Sequence, residues 1–70
     1  MRLSTRNQLT GTVASIAVGN VMAVVGVILD GGGQQVTAAI TKDAVEDLGL
    51  EVGQPVTALV KSTEVMLGVE

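Results

Sequence analysis

QVTAAITKDAVEDLGL, residues 35–50, contains the change of period that decides the fold. From Gln35 to Ile40 the residues alternate: Val36, Ala38 and Ile40 fall on one face and Gln35, Thr37 and Ala39 on the other, the pattern of a half-buried strand. At Thr41 the alternation stops. Thr41 is of a type that caps helices, and Asp43 falls in a first turn, where the macrodipole favours an acid. Gly49 followed by apolar Leu50 fits a Schellman stop, so the spacing predicts one short helix ending at about Leu48.

Upstream, Asn7 to Val18 reads as a first strand carrying the β-branched residues Thr12, Val13 and Ile16, with Gly11 as its bulge site. Gly19 and Asn20 make a turn into a second strand, Val21 to Leu29. That strand is almost continuously apolar, which predicts burial of both faces, one inside the protomer and one in a subunit contact. Asp30 with Gly31, Gly32 and Gly33 ends it. Three glycines between two strands, without a following helix or a P-loop lysine, predict a hairpin turn rather than a phosphate cradle.

Downstream of the helix, Glu51 to Gln54 reads as a turn. Pro55 to Val60 and Glu64 to Val69 read as strands four and five, joined by Lys61, Ser62 and Thr63. Three strands, a helix and two strands is the element order of the OB fold. The expectation is an all-β, five-stranded OB-fold-like barrel, a single domain over residues 1–70, with one short helix between strands 3 and 4. No internal repeat or linker interrupts the pattern.

Composition points to self-association. A domain of 70 residues has little interior, and this one has no Cys or His to supply a disulfide or a zinc site. Yet 47% of its residues are hydrophobic, with a mean hydropathy of +0.55 and no aromatic ring, so much apolar surface must be hidden, by packing between copies in preference to a tightly packed small barrel. A net charge of −3 argues against a general nucleic-acid or anionic-membrane surface. The longest apolar run, Val21 to Leu29, is far short of the roughly 20 residues a membrane span requires. The N-terminus lacks the apolar stretch of a signal peptide, which predicts a cytoplasmic location.

Catalysis is not expected, because no His, Cys or Tyr is present to act as a nucleophile or near-neutral base. Asp43, Glu46, Asp47 and Glu51 cluster on the short helix and its exit. They read as a solvated face in preference to a hard-metal site, and no side-chain metal ligands are assigned. Two donor-rich clusters remain, Ser4-Thr5-Arg6-Asn7 and Lys61-Ser62-Thr63. They are open to two readings: ordinary turn chemistry with surface cations, or a site for a tetrahedral dianion. An unprotonated oxyanion accepts hydrogen bonds without donating any, so guanidinium, ammonium, hydroxyl and backbone N–H groups are what it requires.

The same clusters, extended to Ser4–Leu9 and Lys61–Val69 and joined by Gly11–Val13, Thr37–Thr41 and Leu48–Leu50, resemble the molbindins, small proteins built from the Mop or TOBE domain. The resemblance runs essentially the length of the chain. It implies a barrel assembled as a hexamer, a trimer of dimers, holding molybdate or tungstate between subunits for storage and molybdenum homeostasis. Carried onto matching positions, it implies ligands at the dimer interface from Ser4, Arg6, Thr41, Lys61 and Ser62, with Asn7 ordering the segment. A second oxyanion site near the threefold axis would fall at Gly19, Asn20 and Val21. Thr5 departs from the family pattern, which more often has Ala there, and adds a hydroxyl. Two other functions compete: a structural assembly module without ligand, and a single-stranded nucleic-acid binder. The second is disfavoured by the absence of stacking aromatics and of a basic groove.

Overall fold

The structure, a computed structural model, describes all residues 1–70. Its elements are β1 (Asn7–Val18), β2 (Met22–Leu29), β3 (Gln35–Thr41), α1 (Lys42–Leu48), β4 (Pro55–Val60) and a single 3-10 turn, Ser62–Glu64. The strands form one antiparallel sheet in the order β3-β2-β1-β4. This is an all-β, OB-fold-like half-barrel with four strands where the sequence pattern predicts five.

β1 shapes the sheet by serving two partners. Its first half pairs with β4, from Asn7 opposite Val60 to Thr12 opposite Pro55, and its second half pairs with β2, from Gly11 opposite Leu29 to Val18 opposite Ala23. The register shifts between Val13 and Ser15. An extra residue there flips the alternation, so that Val13 before it and Ile16 after it both point inward. The bulge therefore lies beyond Gly11, where the sequence alone places it. Gly11 is needed for a different reason: it is buried, and a Cβ there would press on the Ile28 carbonyl oxygen and lie 2.9 Å from Val27 Cγ1.

The β2–β3 connection is the hairpin that the glycines predict. Gly31 and Gly33 have φ of 83° and 69°, and Leu29 donates its N–H to the Gln34 carbonyl at 2.7 Å. α1 likewise follows the local signals. The Thr41 hydroxyl accepts from the Ala44 N–H at 3.0 Å. At the other end Gly49 is left-handed, and the N–H groups of Gly49 and Leu50 close on the carbonyls of Glu46 and Val45, the paired bonds of a Schellman stop.

The core is small. Val13, Ala23, Val25, Val27 and Val45 are its buried hydrophobic residues, with Ile16, Leu29, Ile40, Leu50 and Val56 packed around them. The accessible surface is 5454 Å², against about 4,100 Å² for a compact monomer of this mass. The radius of gyration of 12.8 Å likewise exceeds the roughly 11 Å of a compact chain this long.

One expectation is borne out in part and one is corrected. β2 buries one face through Ala23, Val25 and Val27, while Met22 and Val24 on its other face are about half exposed, because no second layer covers them. The fifth strand does not form. The Lys61 carbonyl accepts from the Glu64 N–H at 2.9 Å, closing a 3-10 turn after β4, and residues 65–70 run on exposed without regular secondary structure.

Candidate functional site

The register of β1 against β4 determines where the two donor-rich clusters meet. Asn7 lies opposite Val60, so Arg6 and Lys61 are the next residues outward on the two neighbouring segments. The Asn7 side-chain amide donates to the Val60 carbonyl at 3.1 Å, pinning the incoming segment to the end of β4. The Gln8 side-chain amide donates to the Thr5 carbonyl at 2.8 Å and folds the segment back on itself. Thr5 and Asn7 are half-buried; Ser4, Arg6, Lys61 and Ser62 are exposed. One corner of the sheet thus carries a guanidinium, an ammonium and several hydroxyls. The main-chain N–H groups of Arg6 and Lys61 donate to no backbone carbonyl.

Thr41 is not at this corner. It closes β3 opposite Met22, and Met22 opens β2 beside the far end of β1, where Val18 pairs with Ala23. Thr41 and Arg6 therefore sit at opposite ends of β1. The Thr41 hydroxyl accepts the helix-capping bond but keeps its own hydrogen to donate.

Gly19, Asn20 and Val21 lie at the Thr41 end. Gly19 donates its N–H to the Met22 carbonyl at 2.8 Å, and Lys42 donates to the Val21 carbonyl at 2.7 Å. Gly19 does not have a positive φ, so the turn lacks the left-handed residue of an anion-cradling nest. The N–H groups of Asn20 and Val21 make no backbone bond. Lys42, half-buried beside this turn, is a cation that the reading of end clusters passes over. Its signal in the sequence is a lysine in the first turn of a helix, where the dipole disfavours it.

Asp43, Glu46, Asp47 and Glu51 are exposed, and no three His, Cys, Asp or Glu side chains gather where they could hold a metal. The one sizeable groove, about 390 Å³, opens between β3 and β4, and 12 of its 14 lining residues are hydrophobic. Such a lining cannot replace the hydration of a dianion. The chemistry available to an anion is at the sheet ends.

A curled antiparallel half-barrel with its polar donors collected at the strand ends is the frame of a small binding module. The chain belongs to the TOBE domain family, whose model matches residues 3–67. It is 46% identical over 70 residues to a probable molybdenum-pterin-binding protein of Haemophilus influenzae, covering all of both chains. Among solved structures it is similar to a molybdate binding protein from Sporomusa ovata, with 46% identity and a TM-score of 0.88 over 99% of this chain and all of that one. It also matches the cytoplasmic molybdate-binding protein ModG, solved with molybdate bound, with 47% identity and a TM-score of 0.93 over all of this chain and 49% of that one. No helix is long and apolar enough to cross a membrane.

Proposed function

We propose that this protein binds molybdate, and tungstate with it, at contacts between its subunits, and that it serves as a cytoplasmic store for molybdenum homeostasis without catalytic activity. The observation that carries the reading is the Asn7–Val60 register, which sets Arg6 beside Lys61 at a corner rich in hydroxyls. The relatives named for molybdenum and molybdate support the choice of anion.

In this reading Arg6 and Lys61 neutralise the dianion, and Ser4, Ser62 and nearby N–H groups fix its oxygens, while Asn7 holds the segment in place. Thr41 reaches the ion from a neighbouring subunit, because within one chain it lies at the other end of β1. The turn Gly19, Asn20 and Val21 forms a second site, with the N–H groups of Asn20 and Val21 as donors. The assembly is a hexamer, a trimer of dimers. Support for association comes from the protomer's surface, about a third larger than that of a compact monomer. Closing charged donors from two chains around the ion offsets its desolvation and makes capture reversible.

A site made of donors discriminates by protonation. Molybdate near neutral pH carries no proton, whereas hydrogenphosphate must find an acceptor for its own O–H or leave it unpaired, at a cost of about 1–3 kcal/mol. Equilibrium dialysis against molybdate with an equal concentration of phosphate is expected to leave most of the bound molybdate in place, whereas sulfate, which also carries no proton, is disfavoured only by its smaller size. Displacement by phosphate at equal concentration would show that the corner is an unselective anion patch.

A further inference from the structure

We propose that Asp30 is a site of spontaneous covalent modification, at which the Asp30–Gly31 linkage closes to a succinimide and reopens in part as isoaspartate. The step needs no co-reactant besides water. The Gly31 nitrogen attacks the carboxyl carbon of the Asp30 side chain; the new C–N bond closes a five-membered ring, the C–OH bond breaks, and the amide hydrogen leaves with that hydroxyl as water. Water then adds to one of the two ring carbonyls. Addition at the side-chain carbonyl restores aspartate, whereas addition at the main-chain carbonyl leaves the chain running through the side-chain carboxyl carbon, with one extra methylene in the backbone and a free α-carboxylate.

Ring closure requires a nitrogen free of hydrogen bonds, a following residue without a bulky side chain, and a peptide plane able to turn. The hairpin tip meets each requirement. Leu29 donates its N–H to Gln34 at 2.7 Å, Asp30 to Thr10 at 3.0 Å and Gly33 to Leu29 at 3.2 Å, but the N–H of Gly31 between them donates to no backbone carbonyl and to no side chain. Asp30 and the three glycines are exposed, and at Gly31, Gly32 and Gly33 nothing lies within 4 Å of the place a Cβ would occupy. The linkage therefore turns without breaking a packing contact, and glycine at φ 83° leaves the nitrogen open to approach.

The other Asp and Asn residues each fail a requirement. The Ala44 N–H that follows Asp43 is held by the Thr41 hydroxyl at 3.0 Å, and Asp47–Leu48 lies within α1, whose dihedrals fix the peptide plane. Asn7–Gln8 lies in β1, paired with β4, and Asn20 is followed by β-branched Val21, which crowds the nitrogen. Selection of Asp30 thus follows from the hairpin, and it holds whether or not an anion is bound.

The test incubates the full-length protein at neutral pH in heavy-oxygen water, alongside the same chain denatured in guanidinium chloride, and maps digests of both by electron-transfer fragmentation. Isoaspartate carrying heavy oxygen is expected at residue 30 of the native protein, at a rate within about tenfold of the denatured chain, which corresponds to no more than about 1.4 kcal/mol of restraint by the fold. Asp43 and Asp47 are expected to gain none while native. Asp30→Glu keeps the charge but would require a six-membered ring, so that variant is expected to melt with the parent and to show no isomer at this position. Native protein without isoaspartate at residue 30, while the denatured chain accumulates it, would overturn the proposal. Equal accumulation at Asp43 or Asn20 in the native protein would overturn it as well, because the hairpin would then select nothing.

Discussion

Arg6→Ala and Lys61→Ala are each expected to weaken molybdate binding by roughly 10- to 150-fold, the effect of losing a charge-assisted hydrogen bond worth about 1.5–3 kcal/mol. Both side chains are exposed, so neither supports the fold through burial, and the thermal transition of the ligand-free variants should match that of the parent. Calorimetric titration with molybdate separates the two effects. Arg6→Lys sharpens the test: it keeps the charge and removes the planar fork, so a loss nearly as large as with Ala would identify two-point contact with the anion. Since Arg6 and Lys61 flank the same register pair, the double variant should lose less than the sum of the single losses. Unchanged affinity in both single variants would remove the corner from consideration.

Gly11→Val should have the largest effect on the fold itself. β1 passes from β4 to β2 at this residue, and a side chain there would press on the Ile28 carbonyl oxygen and on Val27. Overpacking of this kind costs about 1–3 kcal/mol, and here the obstacle is backbone, which cannot move aside without breaking the β1–β2 ladder. A domain with so few buried residues has little stability to lose. The variant is expected to be largely unfolded by circular dichroism under conditions where the parent is folded. Gly32→Ala is the control: nothing lies within 4 Å of that position and its φ is not positive, so its melting should stay within a few degrees of the parent's.

The two substitutions differ in how visible their sites are in the sequence. The first three strands, the glycine hairpin and α1 with both its caps were legible because their signals are local. Alternation from Gln35 to Ile40, Thr41 before the helix and Gly49 after it each act on residues within one or two turns. The importance of Gly11 was not legible in the same way. A glycine in a strand suggests a bulge, but its position at the crossing of two ladders depends on partners about 18 and 45 residues away in sequence.

The fifth strand shows the same limit more clearly. The alternation of Val65, Leu67 and Val69 is that of a strand, but a strand also needs a paired backbone, and the 3-10 turn at Ser62–Glu64 separates this segment from β4. For the site, the sequence displays two donor-rich ends without the register that joins them. The Asn7–Val60 pairing supplies that register, and the same topology separates Thr41 from Arg6, which no spacing could reveal. The ligand set itself came from the family resemblance, because short polar clusters are common in turns. Lys42 escaped notice because its significance depends on the β2–β3 end being brought beside the Gly19–Val21 turn.

The most direct test of the account is a crystal of the assembled protein grown with molybdate and measured at the molybdenum absorption edge. The account predicts an anomalous peak within hydrogen-bonding reach of Arg6 and Lys61, at a contact between two subunits. A molybdate-saturated crystal with strong anomalous signal elsewhere and none at that corner would contradict it.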